Sequence, residues 1–182
     1  FACAKEKGLP MLTRAELLGQ IMRNYDTPVA ISGTHGKTTT TSMVSHILLA
    51  GDCDPTISVG GILPAIGGNI RVGNSETFVT EACEYTNSFL SFFPKISIIL
   101  NMDADHLDFF KDIDDIRHSF RRFAELLPAD GTLIINADTP KYEDIIRDLP
   151  CNVITYGLEH DADYQAADIT YDKYGHASFS VL

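Results

Sequence analysis

The stretch that most constrains the fold lies between Pro28 and Ala50. A short apolar run, Pro28-Val29-Ala30-Ile31, leads into Gly33-Thr34-His35-Gly36-Lys37-Thr38-Thr39, and an amphipathic segment over residues 40–50 follows. Strand, glycine loop and helix in that order make a phosphate cradle. Glycines let the backbone turn sharply and bring its N–H groups against an anion, and the helix start adds donors and a favourable dipole. Gly33, Thr34, His35, Gly36, Lys37, Thr38 and Thr39 are therefore the candidate nucleotide-binding residues. Lys37 would reach the β/γ-phosphates, and the Thr38 hydroxyl would ligate Mg²⁺. The common nucleotide loop has a glycine where this chain has Ile31, so the loop is a shorter G-x-x-G-K-T form.

The rest of the chain alternates strand and helix signals. Residues 1–24 read as a helix, a strand over 9–12 and a helix over 14–23, with Thr13 as N-cap and Glu16 completing a capping box. Asn24-Tyr25-Asp26-Thr27-Pro28 breaks that pattern and reads as a linker. Past the loop, Met43, Val44, Ile47 and Leu48 have helical spacing and Gly51 is a stop. Residues 56–75 are rich in glycine and turn formers, including Gly60-Gly61 and Gly67-Gly68. A strand over 77–80 ends at Glu81, and 96–100 is a continuous apolar run of the kind a buried parallel strand carries. Asp112 caps a helix whose Ile113, Ile116, Phe120, Phe123 and Leu127 share a face. Asp130-Gly131 is a turn; 133–135, 142–149 and 153–156 repeat strand, helix, strand. Residues 163–171 and 177–182 read as a hairpin across Asp172-Lys173-Tyr174-Gly175. This alternation predicts an α/β fold of P-loop type: a mostly parallel sheet with helices on both faces, in three layers.

With 182 residues, 45% of them apolar, the chain can bury a substantial core. A net charge of −11 argues against nonspecific binding to nucleic acid or anionic lipid, while leaving room for a nucleotide held by a local loop. Cys3, Cys53, Cys83 and Cys151 form no C-x-x-C pair, which fits a reducing cytoplasm, and no apolar run approaches a membrane span. The start at Phe1 and the apolar ending Phe179-Ser180-Val181-Leu182 read as cuts from a longer chain.

Ligands of an open parallel sheet sit at the carboxyl ends of its strands. Three such ends carry chemistry here: the loop 33–38, Thr80-Glu81-Ala82-Cys83-Glu84, and Asn101-Met102-Asp103-Ala104-Asp105-His106. Glu81 can complete the shell of a Mg²⁺ held by Thr38, and reads equally well as a solvated acid at a strand end. Glu84, taken as one helical turn further on, is the weaker candidate. His106 stands among Asp103, Asp105 and Asp108, a setting that favours function. Mg²⁺ prefers oxygen, so chemistry alone does not make His106 its ligand, and Asp105 and Asp108 serve equally as helix caps. His35 either touches a phosphate or tolerates the turn. His46, His118, His160 and His176 read as structural or solvated, and Arg117 and Arg122 as a solvated helix face.

Taken in order, Gly33-Thr34-His35-Gly36-Lys37-Thr38-Thr39-Thr40, Glu81-Ala82-Cys83-Glu84-Tyr85, Ser88-Phe89-Leu90, Asn101-Met102-Asp103-Ala104-Asp105-His106-Leu107-Asp108, Asn136-Ala137-Asp138 and Thr155-Tyr156-Gly157 resemble the ATP-dependent Mur ligases of bacterial cell-wall synthesis. The resemblance covers nearly the whole chain. It implies that ATP phosphorylates the lactyl carboxylate of UDP-N-acetylmuramate and that the amine of L-alanine displaces phosphate from the acyl phosphate, giving an amide, ADP and phosphate. It implies catalytic roles for Lys37, Glu81 and His106, with Thr38 and Glu81 on one Mg²⁺ and His106 on a second. Ser58-Val59-Gly60-Gly61 would lie near the sugar. Several sister ligases carry a carbamylated lysine where this chain reads Ser119-Phe120-Arg121-Arg122; its absence, with Glu81-Ala82-Cys83-Glu84-Tyr85, favours the alanine-adding branch.

The resemblance further implies that residues 1–24 are the tail of an N-terminal Rossmann-like UDP-binding domain. Residues 25–182 would be the central ATP-binding domain, incomplete at its C-terminal end. An adenine-contacting segment would follow Leu182, a third domain would bring the amino acid, and the piece alone would be inactive. The murein-tripeptide recycling ligases and folylpolyglutamate synthases share the loop, and a nucleotide-binding switch without ligase chemistry is the competing class. No nucleic acid or membrane partner is expected.

Overall fold

The computed structural model describes residues 2–182; Phe1, with which the first expected helix would begin, lies outside them. Helices α1 (Ala2–Glu6) and α2 (Arg14–Met22) come first. Thr13 and Glu16 make the expected reciprocal capping box at the start of α2. Residues 9–12, expected as a strand, carry none: Leu9, Met11 and Leu12 are exposed and no neighbouring strand pairs with them. The expected linker is partly strand, because β1 (Thr27–Ser32) already includes Thr27 and Pro28. Tyr25 stacks on Phe78 at 5.3 Å and donates its hydroxyl to Thr56 Oγ1.

Helix α3 (Lys37–Ala50) begins at Lys37, earlier than the apolar spacing indicated, and ends at Gly51 as expected. Residues 56–75 hold β2 (Thr56–Leu63) and β3 (Gly68–Arg71), paired antiparallel, so their glycines did not keep them out of the sheet. There follow β4 (Thr77–Glu81), an irregular 3₁₀ segment (Tyr85–Ser91), β5 (Ile96–Ile99), α4 (Ile113–Ala124), β6 (Thr132–Asn136), the short α5 (Glu143–Ile146), β7 (Asn152–Gly157), β8 (Tyr164–Tyr171) and β9 (Ala177–Val181).

The described residues form one nine-stranded sheet in the order β3-β2-β4-β1-β5-β6-β7-β8-β9. It is parallel from β2 through β8, with an antiparallel strand at each edge. The 3.6-residue spacing on α4 places Ile116, Phe120 and Phe123 against Ala30, Phe78, Ile99, Leu133 and Ile135 of the sheet. Phe89 stacks on Phe123 at 4.6 Å and meets Phe120 edge-on. On the opposite face α3 lays Val44 and Leu48 over Val29, Ile31 and Val79. Helices therefore cover both faces, as the alternation predicted. Met22 of α2 belongs to the α4-side core, and Gly19 packs against the main chain at Ser91, so α2 docks onto the 3₁₀ segment. No helix among the described residues is long and apolar enough to cross a membrane.

Candidate nucleotide and metal site

In the sheet order β4-β1-β5, the three chemistry-bearing strand tips are immediate neighbours. The register Ile31↔Glu81 puts Glu81 beside the last residues of β1, and Ser32↔Ile99 brings the end of β5 to the other side.

The loop after β1 is held by β5. Asn101 accepts from the His35 N–H through Oδ1 (2.8 Å) and donates through Nδ2 to the His35 carbonyl (3.0 Å), while its own carbonyl accepts from the Thr34 N–H. The Asp103 N–H donates to Thr34 Oγ1 at 2.9 Å. The loop approaches β5 so closely that a Cβ on Gly33, whose φ is +147°, would stand 2.9 Å from the Leu100 side chain. Gly36 is the N-cap of α3, and no side chain among the described residues caps that helix start. The orphan N–H groups of the first turn are thus free of any side-chain acceptor, which an anion-binding helix start requires.

Thr38 Oγ1 donates to Glu81 Oε2 at 3.0 Å, and the Gly60 N–H donates to Glu81 Oε1. A hydroxyl and a carboxylate at this separation are the two protein oxygens a Mg²⁺ takes when phosphate and water supply the rest of its shell. The donor set therefore suits that ion. Lys37 folds back over its own loop: Nζ donates to the carbonyls of Gly33 (2.5 Å) and Thr34 (3.1 Å) and to both carboxylate oxygens of Glu84 (3.0 and 3.2 Å). The side chains of Lys37 and Glu84 are 17% and 3% exposed, so this ion pair is withdrawn from water.

His106 joins the group through Tyr85, the residue after Glu84. The imidazole and phenol rings stack at 4.5 Å, and the Tyr85 hydroxyl donates to Asp108 at 2.7 Å. The hydrogen bond to that carboxylate, with its charge, pushes the Tyr85 hydroxyl above its ordinary range. His106 has φ +52°, and its Nε2 lies 4.0 Å from Asp105. Asp105 Oδ1 accepts from the His106 N–H, a local turn rather than a helix cap. Among the described residues no three His, Cys, Asp or Glu side chains converge as a metal cage. His35 faces Asp103 at 3.5 Å. Thr39 is exposed on the first turn of α3.

Beside Glu81 opens a cavity of about 580 Å³ between the start of α2 and the 3₁₀ segment, walled by Arg14, Glu81, Cys83, Tyr85 and Asn87 among others. Its rim includes Thr86 and Asn87, consecutive non-glycine residues in the left-handed region at φ +55° and +57°. Asn87 is held by a hydrogen bond from Ser119 of α4.

Several residues expected elsewhere behave otherwise. Glu84 is buried on Lys37, and no residue-type pattern marked it above Glu81. Tyr85 and Asn101 were legible as motif members, without a role. Arg117 is not a solvated residue: its side chain is 12% exposed and pairs with Asp114. Arg122 is exposed as expected, whereas Arg121 donates to the carbonyls of Ile145 and Arg147 and to Glu125. His46 and His118 are exposed, and His160 and His176 pair with Asp138 and Asp172.

Comparison with known proteins gives the family. The chain is 65% identical over 183 aligned residues to the UDP-N-acetylmuramate–L-alanine ligase of Lachnospira eligens and 62% identical over 182 to that of Agathobacter rectalis. Both alignments cover 100% of this chain and 40% of the relative, so the chain spans less than half the length of the curated relatives it matches. Among solved structures, the UDP-N-acetylmuramate:L-alanyl-gamma-D-glutamyl-meso-diaminopimelate ligase from Neisseria meningitides superposes with a TM-score of 0.85 at 26% identity, covering 100% of this chain and 59% of that one. The UDP-N-acetylmuramate-alanine ligase from Thermotoga maritima superposes at 0.80 and 25% identity, covering 99% and 40%. A strand-tip loop clamped by its neighbour, the Thr38–Glu81 pair beside it and a sequence match to the Mur ligase middle domain over residues 31–181 lead to one assignment: the chain belongs to the Mur ligase family, through that middle domain.

Proposed function

We propose that this chain is the ATP-binding part of an ADP-forming ligase that joins L-alanine to the lactyl carboxylate of UDP-N-acetylmuramate. The observation that carries the reading is the Thr38–Glu81 contact at 3.0 Å, set beside an uncapped helix start and a loop lysine. The names of the relatives at 62–65% identity favour the alanine-adding reaction over murein-tripeptide recycling.

ATP supplies the phosphoryl group that turns an unreactive carboxylate into an acyl phosphate, which an amine then converts to an amide with release of phosphate. The chain's part in this is positional and electrostatic. The first-turn N–H groups of α3 and the Lys37 ammonium offset charge on the β- and γ-phosphates. Thr38 and Glu81 are the residues that would hold a Mg²⁺, which would supply positive charge beside the phosphates. His106, stacked on Tyr85, is the residue that would offer an imidazole to a second Mg²⁺. The cavity beside Glu81 is the proposed place for the carboxyl substrate, with Arg14 the cation on its wall. Residues 1–24 would be the end of a UDP-binding domain docked through α2, and residues 25–182 the central domain. The reaction belongs in the cytoplasm, where ATP and the reduced cysteines are at home.

The test is a product assay on the full-length protein offered UDP-N-acetylmuramate, ATP and L-alanine, glycine or L-serine. Amide formation with L-alanine, lost by at least about a thousandfold in Lys37→Ala, is the expected outcome. Near-normal turnover of that variant would remove Lys37 from the chemistry.

A further inference from the structure

The loop lysine has a partner that the proposed reaction does not use. An ammonium has three donors and no acceptor. In Lys37 these are spent on the carbonyls of Gly33 and Thr34 and on the carboxylate of Glu84. The two carbonyls belong to the loop, which Asn101 clamps on both sides of His35 and which Gly33 seats against Leu100. They cannot leave the ammonium without reshaping the cradle. Glu84 is the one acceptor that is a side chain, so its donor is the one an incoming anion can take. Glu84 is itself 2% exposed, and Lys37 is its only cationic partner among the described residues. A carboxylate so buried is costly unless paired, so it holds the lysine firmly.

We propose that Glu84 is a positioning residue for Lys37: its carboxylate holds the ammonium folded over the loop and competes with a nucleotide phosphate for one of its three donors. The proposal rests on the nucleotide reading of the loop. Two consequences follow from charge alone. Held by Gly33, Thr34 and Glu84, the ammonium is fixed across the cradle, so little side-chain entropy remains to be lost when it meets a phosphate. The carboxylate also competes with the phosphate, so nucleotide affinity is set below what the loop could reach.

The test is calorimetric titration of the full-length protein with a non-hydrolysable ATP analogue and Mg²⁺. Wild type should bind and Lys37→Ala should bind at least about tenfold more weakly. Glu84→Gln, which keeps the shape and removes the charge, should bind about fivefold or more tightly. A residue that merely supported the fold would give unchanged or weaker binding, and that result overturns the proposal while leaving the nucleotide reading intact. Failure of wild type to bind the analogue overturns both. A structure of wild type with the analogue decides the matter even if Glu84→Gln does not fold. Lys37 Nζ on a phosphate oxygen and beyond about 3.5 Å from Glu84 supports the proposal; retention of both carboxylate bonds sinks it.

Discussion

Gly60 shows how a single atom tunes the site. Its N–H donates to Glu81, and a Cβ placed on it would lie 2.7 Å from Glu81 Oε2. The clashing atoms are the far end of a flexible side chain, so the carboxylate would turn away from Thr38 while the backbone stayed put. Gly60→Ala should therefore leave thermal stability within about 1 kcal/mol. It should also raise the Mg²⁺ concentration for half-maximal turnover about tenfold, as read by metal titration of the full-length protein. Unchanged metal dependence would separate Glu81 from the ion. The Thr38–Glu81 pair was legible in the sequence because position at a strand tip depends only on where apolar runs stop. Counting Glu84 as a helical turn beyond Glu81 undervalues it: no helix continues from β4, and the irregular 3₁₀ segment starts only at Tyr85, past Glu84.

Elements differ in how openly their sequences declare them. Helix α4 is plain, because four apolar residues, Ile113, Ile116, Phe120 and Phe123, recur at helical spacing and Asp112 caps its start by accepting from the Asp115 N–H; Leu127, expected on the same face, lies past its end. Strands β2 and β3 are hidden, because Gly60-Gly61 and Gly67-Gly68 look like turns. Gly60 lies within β2 and donates its N–H to Glu81, a contact that only the folded sheet creates. Beyond β6, Asp138 ties the end of one strand to the end of the next. Burial works against its charge, but the N–H groups of Leu158, His160 and Glu159, with the His160 ring, outweigh it and hold the carboxyl at about 2. A folded-state value below the unfolded one of about 3.9 means the stabilisation is fully present above about pH 4 and is lost as pH falls toward 2. Asp138→Asn should melt several degrees below wild type at pH 7, and the two should converge near pH 2 in thermal scans followed by circular dichroism. A gap that persists at pH 2 would show that the charge is not what matters.

Across the whole molecule the sheet is graded from a dry centre to a wet edge. Strands β1 and β4 carry buried runs, whereas β9 is exposed along its full length. Strand β8 joins β7 through two residue pairs, Tyr156↔Tyr164 and Gly157↔Gln165. Within residues 2–182 the β8–β9 hairpin is thus a peripheral unit with few apolar contacts to lose on opening. In hydrogen–deuterium exchange of a protein comprising residues 1–182, its amides should exchange well ahead of those of β1 and β5; equal protection would mean that the hairpin opens with the core.

The Asn101 clamp has a consequence for how the molecule is made. The Gly33–Thr39 loop leaves the ribosome long before its anchor, since β4 and β5, the two neighbours of β1, are both later in the chain. A nascent chain that stops short of Asn101 already spells the complete phosphate motif but lacks the amide that grips His35 on both sides. The clamped loop therefore forms only after synthesis has passed β5. Translation itself, at about 5–20 residues per second, sets the earliest moment at which the loop can take its shape.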